Sequence, residues 1–260
     1  MQIRVLGPLQ MEQNGISITP SAHKLRQALA LFLLNANRCV STSELIEELW
    51  ENDPPRSAMA TLQTYILRLR KTLGDELVLT GPGGYTLLLD EGVLDLHRFE
   101  RHIERARAEL DRNACANAAD LLDRAARLWR GQPLSDLSPG PILRREIVRL
   151  EECHLNVLEQ RFEIKISLRR YSENVSELRD LCMRYRMHEI LHAQLMLCLY
   201  HCGRRPEALT VYEQVRRTLA DELALEPSMR LQELHDAMLA NDPDPEPTLT
   251  MAGPPPGCTG

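Results

Sequence analysis

SAMATLQTYILRLRKTL, residues 57–73, is the stretch whose reading decides the fold. At the ~100° per residue of an α-helix, Leu62, Ile66, Leu69 and Leu73 fall within a narrow arc and form an apolar stripe. Ser57, Thr64, Arg68 and Lys71 lie on roughly the opposite face, with Thr61 beside them and Ala60 small between them. From Arg56 to Lys71 there are four cations (Arg56, Arg68, Arg70, Lys71) and no acid, whereas residues 41–53 carry Glu44, Glu47, Glu48, Glu51 and Asp53. The basic patch is therefore local. A hydrophobic back and an unobstructed, donor-rich front suit a helix that enters a nucleic-acid groove. Arginine can donate two parallel hydrogen bonds to guanine, giving about 1–3 kcal/mol of base discrimination, while lysine more often neutralises phosphate. The same pattern also describes an amphipathic helix with a solvated basic face, so the flanking sequence has to decide.

Upstream, short β-like runs at residues 3–6, 9–11 and 16–18 are separated by Gly7-Pro8 and Asn14-Gly15. Asn-Gly tolerates the positive φ of a tight hairpin turn. A helix is expected after Thr19-Pro20-Ser21, with Thr19 as its cap and Leu25, Ala28, Leu29, Phe32 and Leu33 as its apolar stripe. A second begins at Ser41, where Ser41-Thr42-Ser43-Glu44 has capping-box spacing, and ends at Asp53-Pro54-Pro55. Gly74 closes the third. Downstream, strands at 76–80 and 85–89 are joined by Gly81-Pro82-Gly83-Gly84, a turn suited to small or rigid residues. A sheet, three helices and a glycine-rich hairpin in that order predict a winged helix-turn-helix of the response-regulator effector type, with Gly83, Gly84 and Tyr85 in the wing.

From residue 95 to about 240 the pattern is helical, broken near 112–113, 131–141, 170–172, 186, 203–206 and 226–227. Such spacing predicts stacked helix pairs, a tetratricopeptide-like array without a strict period. The expected fold is therefore mainly α with a small β part: a DNA-binding winged helix at 1–94, an all-α repeat domain at 95–240, and a disordered tail at 241–260 holding six prolines. Composition agrees, with 43% hydrophobic residues and only 4% aromatics. The net charge of −6 argues against binding phosphate through overall attraction. Even the first 94 residues hold eight Lys or Arg against ten Asp or Glu.

Seven cysteines without C-x-x-C spacing fit free thiols in a reducing compartment. No secretory signal opens the chain, and no apolar run approaches the ~20 residues of a membrane helix. A cytoplasmic, nucleoid-associated protein is expected.

The order MQIRVLGPL, a helix ending ELW, PPRSAMATLQTYILRLRKTLG and then GGYTL resembles the DNA-binding domain of the Streptomyces antibiotic regulatory protein family. The second half agrees through ADLLDRAARLWRGQPLSDL (119–137), RLEECHLNVLEQRFE (149–163) and QLMLCLYHCGRRPEALTVYEQVRRTLADELALEPS (194–228). The resemblance covers about residues 1–240. It implies a winged helix joined to a bacterial transcriptional activation domain, in an activator without enzymatic activity or cofactor. Such an activator binds direct repeats of double-stranded DNA near the promoter −35 region and recruits RNA polymerase with its sigma factor; family members can pair as homodimers only on DNA, which leaves the oligomeric state open. Carried over by residue, Ser57, Thr61, Thr64, Arg68 and Lys71 face DNA, with Arg70 at the edge. One departure stands out: wings of this family often carry an arginine just before the turn, where this chain has Gly81.

Two signals compete. His188-Glu189-x-x-His192 matches a zinc-hydrolase motif, in which two histidines on one helical face bind metal and the glutamate acts as general base. It falls, however, where the resembled family has an ordinary repeat helix. Cys198, His201 and Cys202 share a helix with Leu195, Leu197 and Leu199, which suits cysteine packed as a small hydrophobe. Trp50 and Trp129 read as core anchors, and no phosphate-binding G-x-x-x-x-G-K-[ST] run is present. A third reading, a helical scaffold whose N-terminal domain binds protein rather than DNA, also stays open.

Overall fold

The computed structural model describes residues 1–245; the expected disordered tail lies mostly outside them. The elements run β1 (Gln2–Arg4), β2 (Gln10–Gln13), β3 (Ile16–Ser17), α1 (His23–Leu34), β4 (Cys39–Ser41), α2 (Thr42–Trp50), α3 (Ala58–Leu73), β5 (Val78–Gly81) and β6 (Gly84–Leu87). Helices α4 (Asp95–Asp111), α5 (Cys115–Ala126), α6 (Pro141–Ser167), α7 (Tyr171–Arg184), α8 (Glu189–His201), α9 (Arg205–Leu223) and α10 (Met229–Leu239) complete the chain order. The chain forms two compact units, one of residues 1–105 with 123–155, the other of 106–122 with 156 onward.

In the first unit, β1, β2 and β3 form an antiparallel sheet in that order. Asn14 and Gly15 turn the β2–β3 hairpin at φ +52° and +79°, the positive values that this dipeptide tolerates. Thr19 behaves differently from the expectation. Its hydroxyl accepts from the Met11 amide at 2.8 Å, and α1 starts after Ala22 with no side-chain cap. The β-sheet amide competes for the same oxygen and wins. Ser41 caps α2 as the spacing predicts, accepting from the Glu44 amide at 3.1 Å while Glu44 accepts from the Ser41 amide at 2.8 Å. Hydrogen bonding to Ser41, through its side chain first and its backbone amide second, holds the Glu44 carboxyl below its ordinary pKa.

Helices α1, α2 and α3 pack on one another through residues such as Leu29, Leu45, Leu49 and Leu62, all at most 1% exposed. Fully burying a side chain of this size contributes about 1.5–3 kcal/mol relative to leaving it exposed. A second sheet has the order β4-β6-β5. Its β4, unforeseen in the sequence, pairs Val40 with Tyr85.

Three carboxylates tie the winged helix to the later segments of the same unit. Glu48 on α2 is fully buried and accepts from the amides of Gly140, Ile142 and Leu143 at 2.6–3.0 Å. It thereby caps the N-terminus of α6, where orphan amides and the helix dipole favour a negative charge. Asp95 accepts from the Val5 and Leu6 amides at 2.8 and 3.1 Å; burial pushes its carboxyl up, and those two bonds pull it back. Asp136 accepts from the Leu9 amide at 2.8 Å and from Arg26. Trp129 stacks on His154 with centroids 4.0 Å apart and meets Phe99 edge-on at 5.5 Å, as a core anchor should.

In the second unit, α7, α8, α9 and α10 pack consecutively through short connections close to the expected breaks. At its centre lies α8, buried at every position from Leu191 to Leu199. Cys39, Cys115, Cys182, Cys198 and Cys202 are free thiols. Cys153 is not, against the reading of all seven as thiols, and Cys258 lies outside the described residues. Burial pushes the Cys182 and Cys198 thiols up to about 12, so both behave as small hydrophobes. Among the described residues no helix is long and apolar enough to cross a membrane.

Candidate nucleic-acid interface

α3 keeps its apolar back against the domain through Ala58, Leu62, Ile66 and Leu69, while Leu73 is half-buried. Ser57, Thr64, Arg68 and Lys71 are exposed together with Ala60; Thr61 and Arg70 are half-buried. Ser57 sits at the cap position without a side-chain cap bond. The Thr64 hydroxyl donates to the Ala60 carbonyl at 2.9 Å, so outward it offers an acceptor oxygen and a methyl group. No hydrogen bond or ion pair engages the Arg56, Arg68 or Lys71 side chains among the described residues, which leaves those donors open to a ligand.

Arg70 differs. Its Nε donates to the Val78 carbonyl at 3.0 Å and its Nη2 to Thr80 Oγ1 at 2.7 Å, so it braces the hairpin against α3. Two exposed residues beside the reading face, Gln63 and Leu67, escaped the sequence reading. Helical position alone was the available signal, since both lie between the angular positions of Arg70 and Lys71 on the helical wheel.

The wing is held at its tip. Gly83 has φ +83°, a conformation that glycine adopts without steric cost. Its carbonyl accepts from the Thr42 amide at 2.9 Å and the Thr42 hydroxyl at 3.1 Å. Gly84 is buried, and a Cβ there would sit 2.2 Å from the Val40 carbonyl oxygen. Its part in the wing is close packing against β4. Tyr85 is half-buried, and Gly83 is exposed.

The residues of the zinc-hydrolase motif are brought to three different partners. His188 occupies the N-cap position of α8 without a side-chain cap bond, and its Nε2 lies 3.1 Å from Glu159. Glu189 accepts from the Ser228 amide and hydroxyl at 2.7 and 2.6 Å. His192 is buried, with Nδ1 3.0 Å from the His188 carbonyl. Among the described residues no three His, Cys, Asp or Glu side chains converge as metal ligands.

Residues 13–87 match the family model of the transcriptional regulatory protein C-terminal domain, and residues 94–239 match that of the bacterial transcriptional activator domain. The chain is 40% identical to regulatory protein DnrI of Streptomyces peucetius, over 94% of this chain and 93% of DnrI. It is 38% identical to regulatory protein AfsR of Streptomyces coelicolor, over 94% of this chain but only 24% of AfsR. Among solved structures, Mycobacterium tuberculosis EmbR in complex with a low-affinity phosphopeptide superposes with a TM-score of 0.85 at 32% identity. That match covers 93% of this chain and 65% of EmbR.

A winged helix-turn-helix followed by a bacterial transcriptional activator domain defines a DNA-binding transcriptional regulator. The chain belongs to the Streptomyces antibiotic regulatory protein family of transcriptional activators.

Proposed function

We propose that this activator switches on an antibiotic biosynthesis gene cluster by binding direct repeats near the −35 region and recruiting RNA polymerase, sigma factor included. Residues 1–94 read DNA, residues 95–240 dock the polymerase, and two copies pair on the repeats. The protein works in the cytoplasm, on the nucleoid, and acts by binding rather than by catalysis. The observation that carries this reading is the unengaged Arg68 and Lys71 on the exposed face of α3, beside Ser57, Thr61 and Thr64, on a helix whose back is buried. Arg68 reads a base edge, and Thr64 offers its methyl group or oxygen to a neighbouring base. Lys71 and Arg56 neutralise phosphate, while Arg70 sets the wing and Gly83 approaches the backbone.

Footprinting on promoters beside the gene tests the reading. Wild-type protein is expected to protect a pair of direct repeats. Arg68→Ala should weaken operator binding with the fold intact, and Lys71→Ala should lower affinity across sequences. Unchanged binding in both variants would remove α3 as the reading helix.

A further inference from the structure

Residues of α7, α8 and α9, with Arg186 after α7, line a solvent-open cavity of about 530 Å³, within the ~300–1,000 Å³ typical of small-molecule sites. Its walls are mainly apolar, with Leu195, Val211 and Val215 at the inner side. Into this setting the fold places one buried polar group, His192, only 6% exposed. Its Nδ1 lies 3.0 Å from the His188 carbonyl. A carbonyl only accepts, so Nδ1 carries the hydrogen and Nε2 is left as an acceptor, with no partner among the described residues. Burial depresses the imidazole pKa, keeping the ring neutral and Nε2 able to accept. His192 lines the cavity, and the cavity is the space from which a donor to Nε2 can come.

The rim supplies charge. Arg179 and Arg186 line the cavity and are each engaged by one acid, Glu207 and Glu222 respectively. A guanidinium has five N–H donors, so both retain donors for a ligand. Asp180 also lines the cavity and disfavours negative charge on the part of a ligand nearest to it.

We propose that this cavity binds a mainly apolar small molecule that gives a hydroxyl or N–H hydrogen to His192 Nε2 and an anionic oxygen to Arg179 or Arg186. Such a ligand touches α7, α8 and α9 at once, so occupancy stabilises the folded activation domain by mass action.

The probe 1-anilinonaphthalene-8-sulfonate has the required parts: an aromatic body, one N–H and one sulfonate. Fluorescence titration of the full chain is expected to show saturable one-to-one binding accompanied by a rise in Tm. Gln214→Trp, at an exposed lining position, should fill the cavity and weaken binding at least about tenfold. Arg186→Gln should weaken it about tenfold, by loss of a charge-assisted bond. Promoter binding, read in parallel, should stay intact in both variants. A signal that does not saturate, a fall in Tm on adding the probe, or equal affinity in wild type and both variants would overturn the proposal.

Discussion

α3 and α8 each carry a sequence pattern with a functional reading, and they resolve in opposite ways. On α8, His188 is taken by Glu159, Glu189 by Ser228, and His192 by the carbonyl of His188. The helix is buried on all sides from Leu191 to Leu199. On α3 only Ala58, Leu62, Ile66 and Leu69 are buried, and the exposed Arg68 and Lys71 side chains make no hydrogen bond or ion pair among the described residues. Both patterns place polar side chains at helical spacing. What separates them is how far the fold has already engaged those groups: each of the three on α8 makes an internal bond that keeps it from converging with the others on a metal, whereas Arg68 and Lys71 are exposed and unbonded.

The largest effect expected from this contrast lies on α8. Leu197→Ala, at a fully buried site, should cost about 2–5 kcal/mol in urea or thermal unfolding and leave the sequence preference of the folded protein unchanged. Altered operator choice in that variant would break the distinction. Arg68→Ala should do the reverse, losing about 1–3 kcal/mol of operator discrimination in competition gel-shifts with Tm unchanged. Arg70→Ala sharpens the contrast within one helix, because Arg70 is already engaged by Val78 and Thr80. It should cost about 1 kcal/mol of stability and leave the salt dependence of DNA binding as it was. Lys71→Ala should lower the slope of log affinity against log salt by about one with no change in stability. Smallest of all, a chelator should leave both Tm and DNA affinity unchanged, and a fall in either would reinstate His188 and His192 as metal ligands.

Local patterns were the readable ones. The Ser41-to-Glu44 capping box, the Asn14-Gly15 turn and the apolar stripe of α3 each depend on neighbours within a turn or two, and each is found in the structure. Thr19 shows the limit of that logic, since its hydroxyl serves a β-strand amide rather than a helix start. β4 escaped because three residues between two helices have no periodicity, and their partner β6 comes only after α2, α3 and β5. Glu48 escaped for a related reason. In sequence it is one acid in an acidic helix, and only the fold brings the amides of Gly140, Ile142 and Leu143 to it. On the candidate interface, the face of α3 was legible from angle alone. The division of labour between Arg68 and Arg70 required the wing to be in place, as did the burial of Gly84.

Gly81 gives the wing an evolutionary latitude that its neighbours lack. Gly84 is fixed by the Val40 carbonyl and Gly83 by its positive φ, but at Gly81 the backbone is outside the left-handed region and an added Cβ meets nothing within 4 Å. No steric or conformational barrier therefore holds glycine there. A single nucleotide change in its codon can install an arginine at this position, so a lineage carrying this gene can vary the side chain there without a packing cost.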